Sequence, residues 1–245
     1  MRLFPCCAML ALATATAPLH AQAPPPPPKP NKLTASAGLV DVAGNTRLMS
    51  LSGDERLEHR TADARWMFSQ TAAAVYGRSN DSTTATLLKA GLRADRALSA
   101  RLSAFLGASF ERNRFAGISR RFEEILGLGW KALALPRDQL VLEGGLAFNQ
   151  QRSTLNLSDN FVAARGAAAF RHRFTETAYF EQLAEFLPSL ENGDDLRINT
   201  ETALVAPISR QIALKATYAI RFDNLPAPGF KKTDRILTSG IQVTF

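Results

Sequence analysis

The sequence predicts an all-β chain: an antiparallel up-and-down transmembrane β-barrel of about twelve strands. Three observations carry this. The last thirteen residues, Thr233–Phe245, alternate strictly and stop on an aromatic carboxy-terminus. The amino-terminus has the form of a secretion signal. Between them run segments of period-two hydrophobicity separated by turn residues. A chain that stops in mid-strand leaves an open sheet edge unless the last strand pairs with the first, and a closed barrel provides that partner.

Met1-Arg2 is followed by an apolar run from Leu3 to Leu19 and by His20-Ala21-Gln22-Ala23. One early positive charge, an apolar core and small residues before a cut site describe a signal peptide over residues 1–21, with cleavage after Ala23 as the alternative. The run is short for a membrane helix and is broken by Pro5 and Pro18. Both cysteines, Cys6 and Cys7, lie inside it, so the mature chain is expected to have no thiol, disulfide or cysteine metal site. Residues 22–31 form a Pro-rich spacer whose Pro24–Pro30 run favours an extended, solvated conformation. From Lys32 to Phe245 the pattern is that of a single barrel domain.

The expected strands cover residues 33–43, 46–60, 64–79, 82–96, 100–115, 119–134, 138–152, 159–174, 177–189, 193–206, 210–223 and 232–245. In the fifth, Leu102, Ala104, Leu106, Ala108 and Phe110 oppose Ser103, Ser109 and Glu111. In the seventh, Leu140, Leu142, Leu146 and Phe148 oppose Gln139, Glu143 and Asn149. The eleventh sets Ile212, Leu214, Ala216, Tyr218, Ile220 and Phe222 against Ala213, Lys215, Thr217, Ala219 and Arg221. The third and sixth are less regular, because Gln70 and Glu124 fall on the apolar face. In the last, Leu237, Ile241, Val243 and Phe245 share one face, and Ile241, Val243 and Phe245 serve as the assembly signal. This strand is expected to pair with the chain near Ala35–Val42.

The connections fall into two sets. Those at residues 60–64, 97–99, 135–138, 174–177 and 207–210 are short and follow even-numbered strands, which assigns them to the side holding both termini. Those at 77–83, 152–160, 188–195 and 224–232 are richer in Asn, Asp, Gly and Pro and are the outer loops.

Hydrophobic residues make up 46% of the chain and mean hydropathy is -0.09. No stretch after the signal approaches the twenty or so apolar residues of a membrane helix, whereas a barrel wall tolerates a polar residue at every second position. The net charge of +7 is scattered along strands, which argues against nucleic-acid binding. The charges that alternation turns inward are Lys89, Arg93, Glu111, Arg121, Glu123, Lys131, Glu143, Glu181, Glu185, Arg197, Glu201, Lys215 and Arg221. Both signs are interleaved, a pattern for ion-pair crosslinks rather than for a ring of one sign.

Pro226-Ala-Pro-Gly-Phe-Lys-Lys-Thr-Asp234, Leu237-Thr-Ser-Gly-Ile241 and the terminal Phe245 resemble the end of the family catalogued as domain of unknown function 481. Glu111-Arg-Asn-Arg-Phe-Ala-Gly-Ile-Ser-Arg-Arg121, Gly127-Leu-Gly-Trp130, Gly44-Asn-Thr46 and Phe186-Leu-Pro-Ser-Leu-Glu-Asn192 are similar to its other blocks. The resemblance spans about Ala37 to Phe245. Arg47 stands where an acidic residue often follows the Gly-Asn-Thr turn, and Val40-Asp-Val42 replaces a Ser/Thr-rich stretch. Members of the family are often labelled salt-induced outer membrane proteins, so the resemblance implies an outer-membrane barrel and a link to salt or osmotic stress. It implies no activity.

Catalytic residues are not expected, nor are metal or cofactor sites. The mature chain keeps only His59 and His172, each near the end holding the termini, and His172 shares a face with Phe170 and Phe174 as an interfacial girdle residue would. An acyl hydrolase needs a serine next to such a base, and no matching pattern is present. The acidic residues Glu191, Asp194 and Asp195 share one loop, and Asp54 and Glu55 lie in the second strand. The expected protein is a monomer of the cell outer membrane in contact with lipid and lipopolysaccharide and inserted by the barrel assembly machinery. The function expected is a narrow passive channel or an envelope-integrity protein. The alternatives are an outer-membrane enzyme acting on lipid or peptide, and a soluble periplasmic lipid-binding barrel, which would require the inverse orientation of faces.

Overall fold

The computed structural model describes residues 30–42, 48–79 and 82–245. The expected signal peptide, most of the Pro-rich spacer and the Gly44-Asn-Thr46 turn lie outside the described residues. Twelve antiparallel strands close into one barrel in sequence order. They are β1 (Asn31–Val42), β2 (Leu48–Arg60), β3 (Trp66–Ser79), β4 (Ser82–Ala97), β5 (Leu102–Asn113) and β6 (Ile118–Ala134). The second half comprises β7 (Asp138–Ser153), β8 (Ser158–Arg173), β9 (Tyr179–Pro188), β10 (Leu196–Pro207), β11 (Ile212–Asp223) and β12 (Thr233–Thr244). β1 starts at Asn31, paired with His59, two residues earlier than the alternation predicts.

Several strands begin later than expected, for one recurring reason. A hydroxyl or carboxylate at the turn accepts the backbone N–H groups that would otherwise start the ladder. Ser99 accepts from Arg101 and Leu102, Thr175 from Thr177 and Ala178, and Ser209 from Gln211 and Ile212. At the other end of β5, the Asn113 side chain accepts from Ala116 N–H and stops the strand in a short 3-10 turn over Arg114–Ala116.

The barrel closes between β1 and β12. Phe245 N–H donates to the Leu33 carbonyl at 2.9 Å, and the register continues through Thr34↔Thr244 to Ala37↔Ile241. The expected pairing out to Val42 is thus corrected to a shorter seam ending at Ala37. Just beyond it the two backbones come too close for side chains. A Cβ at Gly38 would collide with the Ser239 carbonyl, and one at Gly240 with the Ala37 carbonyl.

Pairing fixes which residues share a face, and the faces are sharply different. Leu237 (74% exposed), Leu39 (67%), Leu92 (65%) and Leu106 (61%) point outward. Arg93, Glu143, Asn149, Arg165, Arg197 and Gln242 point inside, beside a smaller set of buried apolar residues that includes Phe105, Ala147, Ala163, Leu187 and Val205. Polar interior and apolar exterior together are the polarity of a membrane barrel and the reverse of a soluble lipid-binding one. The outer face carries an aromatic band at each end. Trp66, Phe68, Trp130 and Phe174 lie toward the end with the termini, and Tyr76, Phe122, Phe148 and Phe186 toward the loops. Along β3, Phe68 and Tyr76 are separated by roughly 20 Å of height for a strand tilted about 40°. That is close to the apolar thickness of an outer-membrane barrel, about 25 Å. Trp66 and Phe68 stack at 5.9 Å, with the Arg96 guanidinium 5.5 Å from the Trp66 ring.

Candidate functional site: the charged lumen

Alternation delivers charged side chains to the inside, and the lumen joins them across strands that are not neighbours. Arg93 on β4 reaches past β5 and β6 to Glu143 on β7, with Nη2 donating to Oε1 at 2.6 Å and Nη1 to Oε2 at 3.1 Å. The same guanidinium donates to Asp95 at 2.7–3.1 Å. Glu143 also accepts from Arg165 on β8 at 2.8 Å, and Arg165 Nε donates to Glu185 on β9 at 2.7 Å. Asn199 on β10 completes the chain by donating to the second Glu185 oxygen at 2.9 Å. Two-oxygen, fork-shaped contacts of this kind are the strong class of charged hydrogen bond.

An inward aromatic ring supports the centre of this network. The Arg93 and Arg165 guanidinium carbons lie 4.2 and 5.4 Å from the Phe105 ring centre, a paired cation–π arrangement. The ring has room because Gly127 lies beneath it, where a Cβ would meet Phe105 Cζ at 2.8 Å. Toward the loops, Ala147, Phe161, Ala163 and Leu187 form a buried apolar cluster, with Ile125 packed against it. One side of the lumen is therefore filled with side chains.

The remaining inward charges form smaller sets. Glu181 accepts from Arg171 at 2.9 Å, and Lys215 on β11 donates to both Asp54 oxygens at 3.0 Å. Glu201 lies 3.8 Å from Arg221 and Glu111 3.7 Å from Arg121, which donates to Gln151 at 2.7 Å. Lys89 and Glu123 line a loop-end cavity of about 60 Å³ together with Glu111, Arg121, Arg197 and Arg221. Lys131 shares the inner face with Val141 and is exposed where β6 nears the end with the termini.

At the loop end Arg197 is buried against the Phe161 ring, 4.2 Å from its centre, and meets Asp159, Asp195 and Asp223 only loosely at 3.5–3.7 Å. Its Nε and Nη1 atoms and Asp195 Oδ1 lack hydrogen-bond partners. Burial pushes the Asp195 carboxyl above the usual carboxylate range, with nearby Arg197 opposing the shift.

Four members of this site are absent from the expected inward set: Phe105, Asp95, Arg165 and Asp54. Arg165 was in phase with the inward Arg171, so parity alone would have found it. Phe105 breaks the apolar-out pattern and carries no such signal. The two residues that disturb alternation do sit on the outer face. Gln70 donates to Glu55 there at 3.1 Å, which satisfies part of each group, and Glu124 is opposite Phe148. His59 lies 2.6 Å from Asn31 and 6.5 Å from Phe68, and His172 lies 2.7 Å from Asp138 and 4.8 Å from Phe174. In the acidic loop, Glu191 accepts the Val162 N–H and the Asp194 carbonyl accepts from Asn224. No group of three metal-ligating side chains occurs among the described residues.

The fold is that of outer-membrane porins. An outer membrane channel from Pseudomonas putida F1 superimposes with a TM-score of 0.52 at 11% identity, covering 88% of this chain and 94% of that one. The NanC porin gives a TM-score of 0.51 at 10% identity, covering 87% and 98%. Likenesses at such identity are likenesses of fold. In sequence, the Escherichia coli K12 protein described as uncharacterized protein YdiY is 26% identical over 207 residues, 83% of this chain and 79% of that one. Residues 35–245 match the family described as protein of unknown function, DUF481, and the chain belongs to that family.

Proposed function

We propose that the protein resides in the bacterial outer membrane and forms a narrow passive channel for small hydrophilic solutes. The observation that carries this reading is the division of faces: large apolar residues such as Leu237 and Leu92 point outward from a closed barrel, while ion pairs such as Lys215–Asp54 and Arg171–Glu181 line its inside. A wall of this kind suits lipid outside and water inside. The fold shared with porins supports it. Its partners on this reading are lipid, lipopolysaccharide and the barrel assembly machinery, which would read the outward Phe245 end. It works as a monomer, with no catalytic step.

A second reading, an envelope-integrity barrel that conducts nothing, is favoured by the Arg93–Glu143–Arg165–Glu185 crosslink. The salt or osmotic stress link implied by the family resemblance fits either reading, since both concern the permeability of the envelope. Purified protein inserted into a planar bilayer in KCl separates them. The channel reading expects small, steady single-channel steps; a silent bilayer containing correctly folded, heat-modifiable protein would contradict it.

A further inference from the structure

The inner wall is lopsided. Among the described residues, every buried hydrophobic side chain lies on β5 to β11, from Phe105 through Leu187 to Ala219, and none lies on β12 or β1–β4. The inner face of the opposite wall is mixed: hydroxyl-bearing residues and glycines run through it beside Arg56, Val75, Ile236 and Gln242. Register places Ser36, Ser52, Thr71, Thr238, Gly38 and Gly240 on that face. The hydroxyls keep this face wet, and at Gly38 and Gly240 the seam backbones take the place of side chains.

One contact crosses this strip. Lys215 extends from β11 past β12 and β1 to Asp54 on β2, where Nζ donates to both carboxylate oxygens at 3.0 Å. The Ser36 hydroxyl donates to the same carboxylate at 2.5 Å. The space left beside the bridge is about 10 Å³, room for one water. This bridge is wetter than the Arg165–Glu143 contact: the Lys215 and Asp54 side chains are 19% and 40% exposed, against 9% and 15% for Arg165 and Glu143, while Arg93 is 24% exposed.

We infer that the conducting path runs along the β12–β1–β2–β3 wall, and that the Asp54–Lys215 pair is its constriction and sets its preference among small inorganic ions. The inference rests on the channel reading. With one charge of each sign at the narrowest point, the intact pair leaves little preference for either sign of ion. Removing one partner leaves the other as a lone fixed charge in the path, which attracts ions of opposite sign.

The test is the reversal potential across a KCl gradient for the wild type, Lys215→Met, Asp54→Asn and the double variant, each shown to fold by heat-modifiable migration. Lys215→Met is expected to shift preference toward cations and Asp54→Asn toward anions. The double variant should reverse near the wild-type potential with larger conductance. Thiol labelling gives a readout that needs no current, since the expected mature chain has no cysteine. Ser52→Cys and Thr71→Cys should react with a charged, membrane-impermeant methanethiosulfonate, whereas Ala147→Cys, fully buried on β7, should not. Conducting variants with unshifted reversal potentials, or Ala147→Cys reacting as fast as Ser52→Cys, would overturn this inference alone. Silence in the wild type and the double variant would contradict the channel reading itself.

Discussion

Glu143→Ala is expected to destabilise the barrel by about 3 kcal/mol, the low end of the range for removing one partner of a buried ion pair. Glu143 is the hub of the lumen network, holding Arg93 at 2.6 Å and Arg165 at 2.8 Å from opposite sides. Its loss leaves two guanidinium groups, 24% and 9% exposed, facing each other over the Phe105 ring without a shared counter-charge. The cost stays at the low end because Arg93 keeps Asp95 and Arg165 keeps Glu185. Glu181→Ala removes a more exposed partner, that of Arg171, and is expected to cost under about 1 kcal/mol. The midpoint of reversible urea unfolding in lipid vesicles measures both. Equal shifts for the two variants would mean that the Glu143 network is not a structural crosslink.

Leu126→Arg is expected to cost about 2–4 kcal/mol in the same assay, the penalty for a basic side chain near the bilayer midplane of a barrel wall. Leu126 points outward, is 43% exposed and lies on β6 midway between Phe122 of the loop-end band and Trp130 of the other. Leu98→Arg, in the turn between β4 and β5 and 52% exposed, is expected to cost about 0–1 kcal/mol because it sits at the interface. On a soluble protein both residues would be ordinary surface positions, and both substitutions would fall within about 0.5 kcal/mol. A depth-dependent difference therefore distinguishes a lipid-facing wall from a water-facing one.

The strands were legible because a barrel wall imposes a strict period of two. Ile212 through Phe222 already declare their face in the sequence, and β11 occupies residues 212–223 of the expected 210–223. The two-residue delay was hidden because it depends on the Ser209 hydroxyl capping Gln211 and Ile212, a local contact that hydrophobic alternation does not register. The lumen was only half legible. Alternation says that Arg93 and Glu143 both point inward, but not that one reaches the other past two intervening strands. That reach depends on strand tilt, wall curvature and side-chain length, none of which is written in the period. Phe105 was invisible for a related reason: an apolar residue on the polar face looks like noise until Gly127 is seen beneath it and two guanidinium groups above it. The short seam at Ala37 likewise follows from the close approach of Gly38 and Gly240, residues far apart in the chain.

The orientation of the wall underlies every functional statement, and the chain carries its own probes for it. Its only two tryptophans, Trp66 and Trp130, both point outward, at 38% and 49% exposure, and both lie toward the end holding the termini. Tryptophan fluorescence in vesicles containing lipids with a nitroxide at shallow or deep acyl positions reads their depth directly. Strong quenching by both lipid probes, greater for the shallow one, and weak quenching by aqueous iodide are expected. Strong iodide quenching with no effect of nitroxide lipids would place these faces in water and contradict a membrane-spanning barrel.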